Sequence, residues 1–214
     1  MRKRVWVYWV MILFLSFTVA VSYSATGTSE SVLVDLHDLN PGIILDLKYA
    51  TADNFLREKV YETDRCYVLL PLAEKLNEAQ ELLARDGLGL KVYDCFRPLS
   101  VQKKMWALLP DSRYVANPWL SGSHHNRGVA VDLTIVDLDG NELEMPTFFD
   151  EFTEKAHKYS KTPTAQQRAN RLLLRMVMEK VGLEGINTEW WHYQLPDARK
   201  YPLIVNIPQE KGAR

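Results

Sequence analysis

One decapeptide, Ser123-His124-His125-Asn126-Arg127-Gly128-Val129-Ala130-Val131-Asp132, constrains the fold of this chain more than any other stretch. Gly128 permits a tight turn. From Val129 to Val136 the residues then alternate with period two, the mark of a strand whose faces differ. Val129, Val131, Leu133 and Ile135 share one face, while Ala130, Asp132 and Thr134 share the other. Asp132 therefore leaves the apolar face alone, and the small Ala130 beside it leaves room for whatever the carboxylate holds.

The flanking sequence supplies partners for that strand. Alternation at Val32, Val34 and Leu36, then at Ile43, Leu45 and Leu47, predicts two short strands around Asn40-Pro41-Gly42, and Asp53-Asn54-Phe55 reads as loop. Pro71 opens a helix with Leu72, Leu76, Ala79, Leu82 and Leu83 on one face and Gly87 just past its end. A strand over Leu90 to Phe96 and a helix from Leu99 to Leu109, stopped by Pro110, follow. Asp139-Gly140 predicts a hairpin returning through Leu143 and Met145. Gln166 to Val181 has the helical period, with Leu172, Leu173, Met176, Val177 and Val181 predicted inward, and Trp190 to Leu195 is a last strand. Helices interspersed with hairpin strands imply an α+β fold, a single domain with a central antiparallel sheet flanked by helices.

A 214-residue chain that is 47% hydrophobic can bury the core this needs. A net charge of −1 gives no basis for nucleic-acid binding. The N-terminus differs in kind: Met1-Arg2-Lys3-Arg4 precedes a run, Val5 to Val21, without a charge. Residues 1–24 read as an export signal, either cleaved near Ala20-Val21-Ser22 or Ser22-Tyr23-Ser24 or retained as an anchor, ahead of a domain over 31–214. The protein is accordingly expected in the periplasm or cell envelope. In an exported chain Cys66 and Cys95 are either one disulfide or two small buried thiols.

A distant segment, Glu189-Trp190-Trp191-His192, completes a chemical set. His125, Asp132 and His192 are the residue types of a catalytic zinc site, three protein ligands with an open fourth position, and Glu189 adds a carboxylate suited to a general base. Glu189 and His192 are three apart and fall on opposite sides of an extended strand, so Glu189 belongs at a bend or just before the strand. His124 takes the place of His125 if the register slips by one, and His37 and His157 have no metal-ligand context. Trp190 and Trp191 read as core and pocket wall. Ser100-Val101-Gln102-Lys103 matches the S-x-x-K pattern of serine D,D-peptidases, but no S-D-N accompanies it and Lys161-Thr162-Pro163 has proline where K-T-G requires glycine.

The pairing of S-x-H-x-x-G-x-A-x-D at Ser123 to Asp132 with E-x-W-H at Glu189 to His192 resembles the zinc D,D-peptidases of the D-alanyl-D-alanine dipeptidase and carboxypeptidase family. Lys48-Tyr49-Ala50-Thr51, Asp53-Asn54-Phe55, Gly87-Leu88-Gly89-Leu90, Tyr93-Asp94-Cys95-Phe96-Arg97-Pro98 and Phe149-Asp150 point to its dipeptidase branch. The resemblance implies the zinc D,D-peptidase fold, which is hedgehog-like, one zinc ion bound by His125, Asp132 and His192, and Glu189 as base. It also implies that Arg97 stabilises the oxyanion, that Ser123 and Asp150 meet the ammonium of a small D,D-dipeptide, and that Tyr49 and Asp94 line the pocket. The segment from Asp132 to Asp150 is slightly shorter than the family pattern, which bears on Asp150. A zinc D,D-carboxypeptidase and a zinc-stabilised binding module without turnover are the competing readings.

Overall fold

A computed structural model of the chain describes residues 32–205, so the expected export signal lies outside the described residues. Among those described, no helix is long and apolar enough to cross a membrane. The elements run β1 (Leu33–Asp35), α1 (Leu36–Leu39), β2 (Ile44–Leu45), β3 (Tyr67–Leu69), α2 (Leu70–Ala84), β4 (Gly89–Asp94), α3 (Leu99–Leu108), β5 (Ala130–Val136), α4 (Ala165–Lys180), β6 (Glu184–Gly185) and β7 (His192–Gln194). The main sheet has the order β2-β4-β5-β7-β6 and is antiparallel except where β2 joins β4. The α+β class predicted from the pattern is the one observed.

The two N-terminal strands do not pair with each other. Asp35 caps a single helical turn by accepting from the His37 amide at 2.9 Å, and that turn diverts the chain. β1 then pairs antiparallel with β3, whereas β2 becomes the one parallel edge of the main sheet. The Asp139-Gly140 turn is present, and Val136 and Glu142 form a bridge beyond it.

Helix α2 presents Leu72, Leu76, Ala79 and Leu83 to Leu90 and Val92 of β4 and to Val131, Leu133 and Ile135 of β5, forming the main core. Helix α4 begins in a capping box of Thr164 and Gln167, but its buried face is rotated from the predicted one. Leu174, Met178 and Val181 point inward with Asn170 and Arg171, Leu173 and Val177 pack partly buried against the core as expected, and Leu172 and Met176 are exposed. Asn170 donates to the Glu144 carbonyl and Arg171 to those of His157 and Ser160. Two polar residues thus occupy the start of the inward stripe, where a count of apolar residues places them outside. Cys66, just before β3, and Cys95, just after β4, form a disulfide with Cα atoms 5.5 Å apart.

Candidate active site

Strand register builds the site. Asp94 of β4 lies opposite Asp132 of β5, and Asp132 lies opposite His192 of β7, so one row across three strands carries all three. A register shift between Val92 and Asp94 re-aims the end of β4. His125 sits in a short 3-10 turn, His125–Arg127, that ends at Gly128 in the left-handed conformation, φ 68°. That turn swings His125 back over the start of β5. Glu189 lies in the bend before β7, as its odd spacing from His192 requires.

His125 Nε2 and His192 Nδ1 are 3.1 Å apart, and they lie 3.3 and 3.0 Å respectively from Asp132 Oδ1. A tetrahedral ion with ligands at about 2.0–2.1 Å spaces its ligand atoms about 3.3 Å apart, close to this triangle. The outer ring nitrogens are engaged: His125 Nδ1 donates to the Cys95 carbonyl at 2.9 Å and His192 Nε2 is 3.1 Å from Gln194 Oε1. With both protons directed outward, two imidazole lone pairs and a carboxylate oxygen face one point, an arrangement that calls for a cation. The local field agrees. Burial opposes a charged His125, yet the Asp132 and Asp94 carboxylates outweigh it and raise its pKa. Burial likewise works against an ionised Asp132, but His125 and His192 hold it well below the usual carboxylate range.

Arg97, Glu189, Asp150, Tyr49 and Ser123 line the same cavity as the triad, a space of about 320 Å³, with Trp191 in its wall. Burial, then the charges of Asp132 and Asp150, raise Glu189 well above its ordinary value, with Arg97 opposing. Asp150 is half-buried, at φ 60°, and accepts from the Tyr49 hydroxyl at 2.9 Å. Desolvation is the main force that pushes its carboxyl up to about 8. The shorter segment before it has not displaced it from the cavity. The Ser123 hydroxyl accepts from the His125 amide at 3.2 Å.

Asp94 supports Arg97. Expected on the pocket wall, it is fully buried behind it and holds Arg97, accepting from Nε at 3.1 Å and Nη2 at 2.5 Å. Tyr61 and the Cys95 amide donate to its other oxygen. Gln102, from inside the S-x-x-K motif, accepts from Arg97 Nη1 at 3.0 Å, whereas Ser100 and Lys103 are exposed on α3. His124 lies outside the triad, with Nδ1 2.5 Å from Gln194 Oε1. Gln194 escaped the sequence reading although it sits two residues after His192, a same-face spacing that could have found it.

Residues 29–209 match the family model for peptidase M15, described as D-ala-D-ala dipeptidase. The chain belongs to this family. It is 41% identical over 175 residues to a D-alanyl-D-alanine dipeptidase of Escherichia coli (strain K12), covering 81% of this chain and 90% of that one. It is 35% identical to another of the same name from Enterococcus faecium, over 78% of this chain and 92% of the relative. A solved structure, VanYB in complex with D-Alanine-D-Alanine, aligns with TM-score 0.42 at 13% identity over 66% of this chain and 78% of that one, too loosely to bear on function. Members of this dipeptidase family are zinc metallopeptidases, and the two imidazoles and one carboxylate gathered here fit that ion.

Proposed function

We propose that this protein hydrolyses D-alanyl-D-alanine to two D-alanines, with zinc held by His125, Asp132 and His192. The observation that carries the reading is the convergence of those three ligand atoms in a cavity that Glu189 and Arg97 also line. When bound, zinc supplies a Lewis acid that polarises the scissile carbonyl and acidifies water. Glu189 takes the proton of the attacking water and delivers it to the leaving amine, a role suited to a carboxyl raised by its surroundings. Arg97 is clamped by Asp94 and Gln102 before the reaction begins, so no reorganisation is needed when negative charge develops on the carbonyl oxygen. Asp150, with Ser123 nearby and Tyr49 bonded to it, takes the substrate ammonium, and an acylated N-terminus would leave that carboxylate unpaired.

Released D-alanine should be measured after incubation with D-Ala-D-Ala, a peptidoglycan pentapeptide and L-Ala-L-Ala, before and after chelation and with zinc added back. The dipeptidase reading requires cleavage of D-Ala-D-Ala that chelation abolishes and zinc restores. Cleavage of the pentapeptide alone would make the enzyme a carboxypeptidase, and no cleavage of either would make it a binding module.

Export to the cell envelope belongs to the same proposal. It is supported by the charge-free run after Met1-Arg2-Lys3-Arg4 and by the Cys66–Cys95 disulfide, a bond that persists in oxidising compartments. Recovery of the protein from the cytoplasm of fractionated cells, with both thiols free, would refute it.

A further inference from the structure

A free dipeptide carries a carboxylate as well as an ammonium, and no residue named so far receives it. Three arginines line the catalytic cavity: Arg97, Arg113 and Arg199. Arg97 is committed to Asp94 and Gln102, and Arg113 is bound through Nε and Nη2 to Asp111. Arg199 is exposed and, among the described residues, has no carboxylate partner.

Its position is nevertheless fixed. Arg199 lies in the 3-10 turn Ala198–Lys200 that follows β7, and Ala198 is buried in the main core. Asp197 enters that turn at φ 53°, a left-handed conformation uncommon outside glycine.

A second, buried guanidinium, that of Arg127, adjoins the cavity through Ser121. Arg127 is 9% exposed, donates to the carbonyls of Tyr201 and Ser121, and has a buried Nε with no partner. No carboxylate among the described residues neutralises it, and Ser121, to which it donates, lines the cavity. Arg199 is thus the one cavity-lining arginine without a carboxylate partner among the described residues, and Arg127 places a buried positive charge behind Ser121. A buried charge without a counterion is costly, and an incoming anion relieves that cost.

We propose that Arg199 binds the free C-terminal carboxylate of the substrate. This rests on the dipeptidase reading and supplies its missing half: Asp150 for the ammonium and Arg199 for the carboxylate. Two residues span at most about 7 Å, so recognition at both ends limits the substrate to a free dipeptide.

The test compares D-Ala-D-Ala with D-alanyl-D-alanine amide, which lacks the carboxylate, in wild type and in Arg199→Gln and Arg199→Lys. The wild type should prefer the free acid by about tenfold or more in kcat/KM. Arg199→Gln should bring the ratio close to one, mainly through a higher KM for the acid, and Arg199→Lys should restore much of it. If the wild type treats acid and amide alike, or if Arg199→Gln keeps the wild-type ratio, the assignment of Arg199 is overturned while the dipeptidase reading stands. Wild type that cleaves neither compound overturns both.

Discussion

The ion-binding corner and the substrate-binding rim are held by different means. Asp132 and His192 occupy facing rungs of two hydrogen-bonded strands, and His125 folds over them from a turn tied to the Cys95 carbonyl. Asp150 and Arg199 sit on connecting segments, with left-handed backbone at Asp150 itself and at Asp197, which leads into Arg199. A sheet fixes relative positions to fractions of an ångström, as a shared ion requires. Loops are the part of a fold most free to vary, as recognition requires. Chemistry here is placed by register and selectivity by loops.

The largest effects should separate the two kinds of residue within the corner. Asp132→Ala should reduce turnover to background and deplete bound zinc, measured by metal content after dialysis against a weak chelator. Glu189→Ala should keep its zinc and lose about 10²–10⁴ in kcat, because it removes proton transfer without removing a ligand. Equal zinc loss in both variants would mean that Glu189 belongs to the metal set.

Arg97 extends the comparison to a side chain on the segment between β4 and α3 that buried partners make rigid. Arg97→Ala should cost about 10²–10³ in kcat with zinc retained. Gln102→Leu leaves Asp94 in place and removes one of the guanidinium's acceptors, so its loss in kcat should be smaller, about tenfold. An unchanged Gln102→Leu would show that Asp94 alone holds the guanidinium.

How much of this could be read in the sequence follows the same division. The ligand set, Asp132 and His192 on the sheet and His125 on the turn before β5, announced itself through spacing and the alternation of β5, and Glu189 through its odd distance from His192. The supports did not. The resemblance implied Asp94 as a pocket-lining residue, and sequence alone does not show that its carboxylate is buried against Arg97. Gln102 was hidden inside a motif belonging to other chemistry, and Arg199 carries no pattern at all. On the fold side, the rotation of α4 was missed because Arg171 is buried by donating to two backbone carbonyls, a compensation that hydrophobic periodicity cannot register. The parallel edge at β2 was missed because pairing direction depends on a four-residue turn, α1, that alternation does not reveal.

Asp150 offers a pH-dependent test on the rim. Its carboxyl is raised from 3.8 to about 8 in the folded protein. Between those values the folded chain holds a proton that the unfolded chain has released, so stability falls as pH rises across that window and the full cost is present above it. In zinc-free protein, Asp150→Asn should remove that slope, gaining on the order of a few kcal/mol at pH 8 relative to pH 5 in urea unfolding. The same variant should raise KM for D-Ala-D-Ala by about tenfold or more, a trade of activity for stability expected where a binding carboxylate is buried in advance of its partner.

The smallest effect isolates the turn that carries His125. Gly128 and Gly182 both adopt left-handed backbone, at φ 68° and 85°. A Cβ at Gly128 would lie 2.9 Å from Leu33 Cδ2, with Ile204 Cδ1 and Leu69 Cγ at 3.3 and 3.4 Å, whereas one at Gly182 meets nothing within 4 Å. Alanine at either site pays a backbone cost of about 1–2 kcal/mol. Only at Gly128 must the ends of the Leu33 and Ile204 side chains also shift, which should add a further, smaller loss in urea unfolding. Because His125 lies three residues earlier in the same turn, Gly128→Ala should weaken zinc binding as well, and Gly182→Ala should not. Equal zinc affinity in the two variants would show that the hydrogen bond to the Cys95 carbonyl, and not the turn, sets the position of His125.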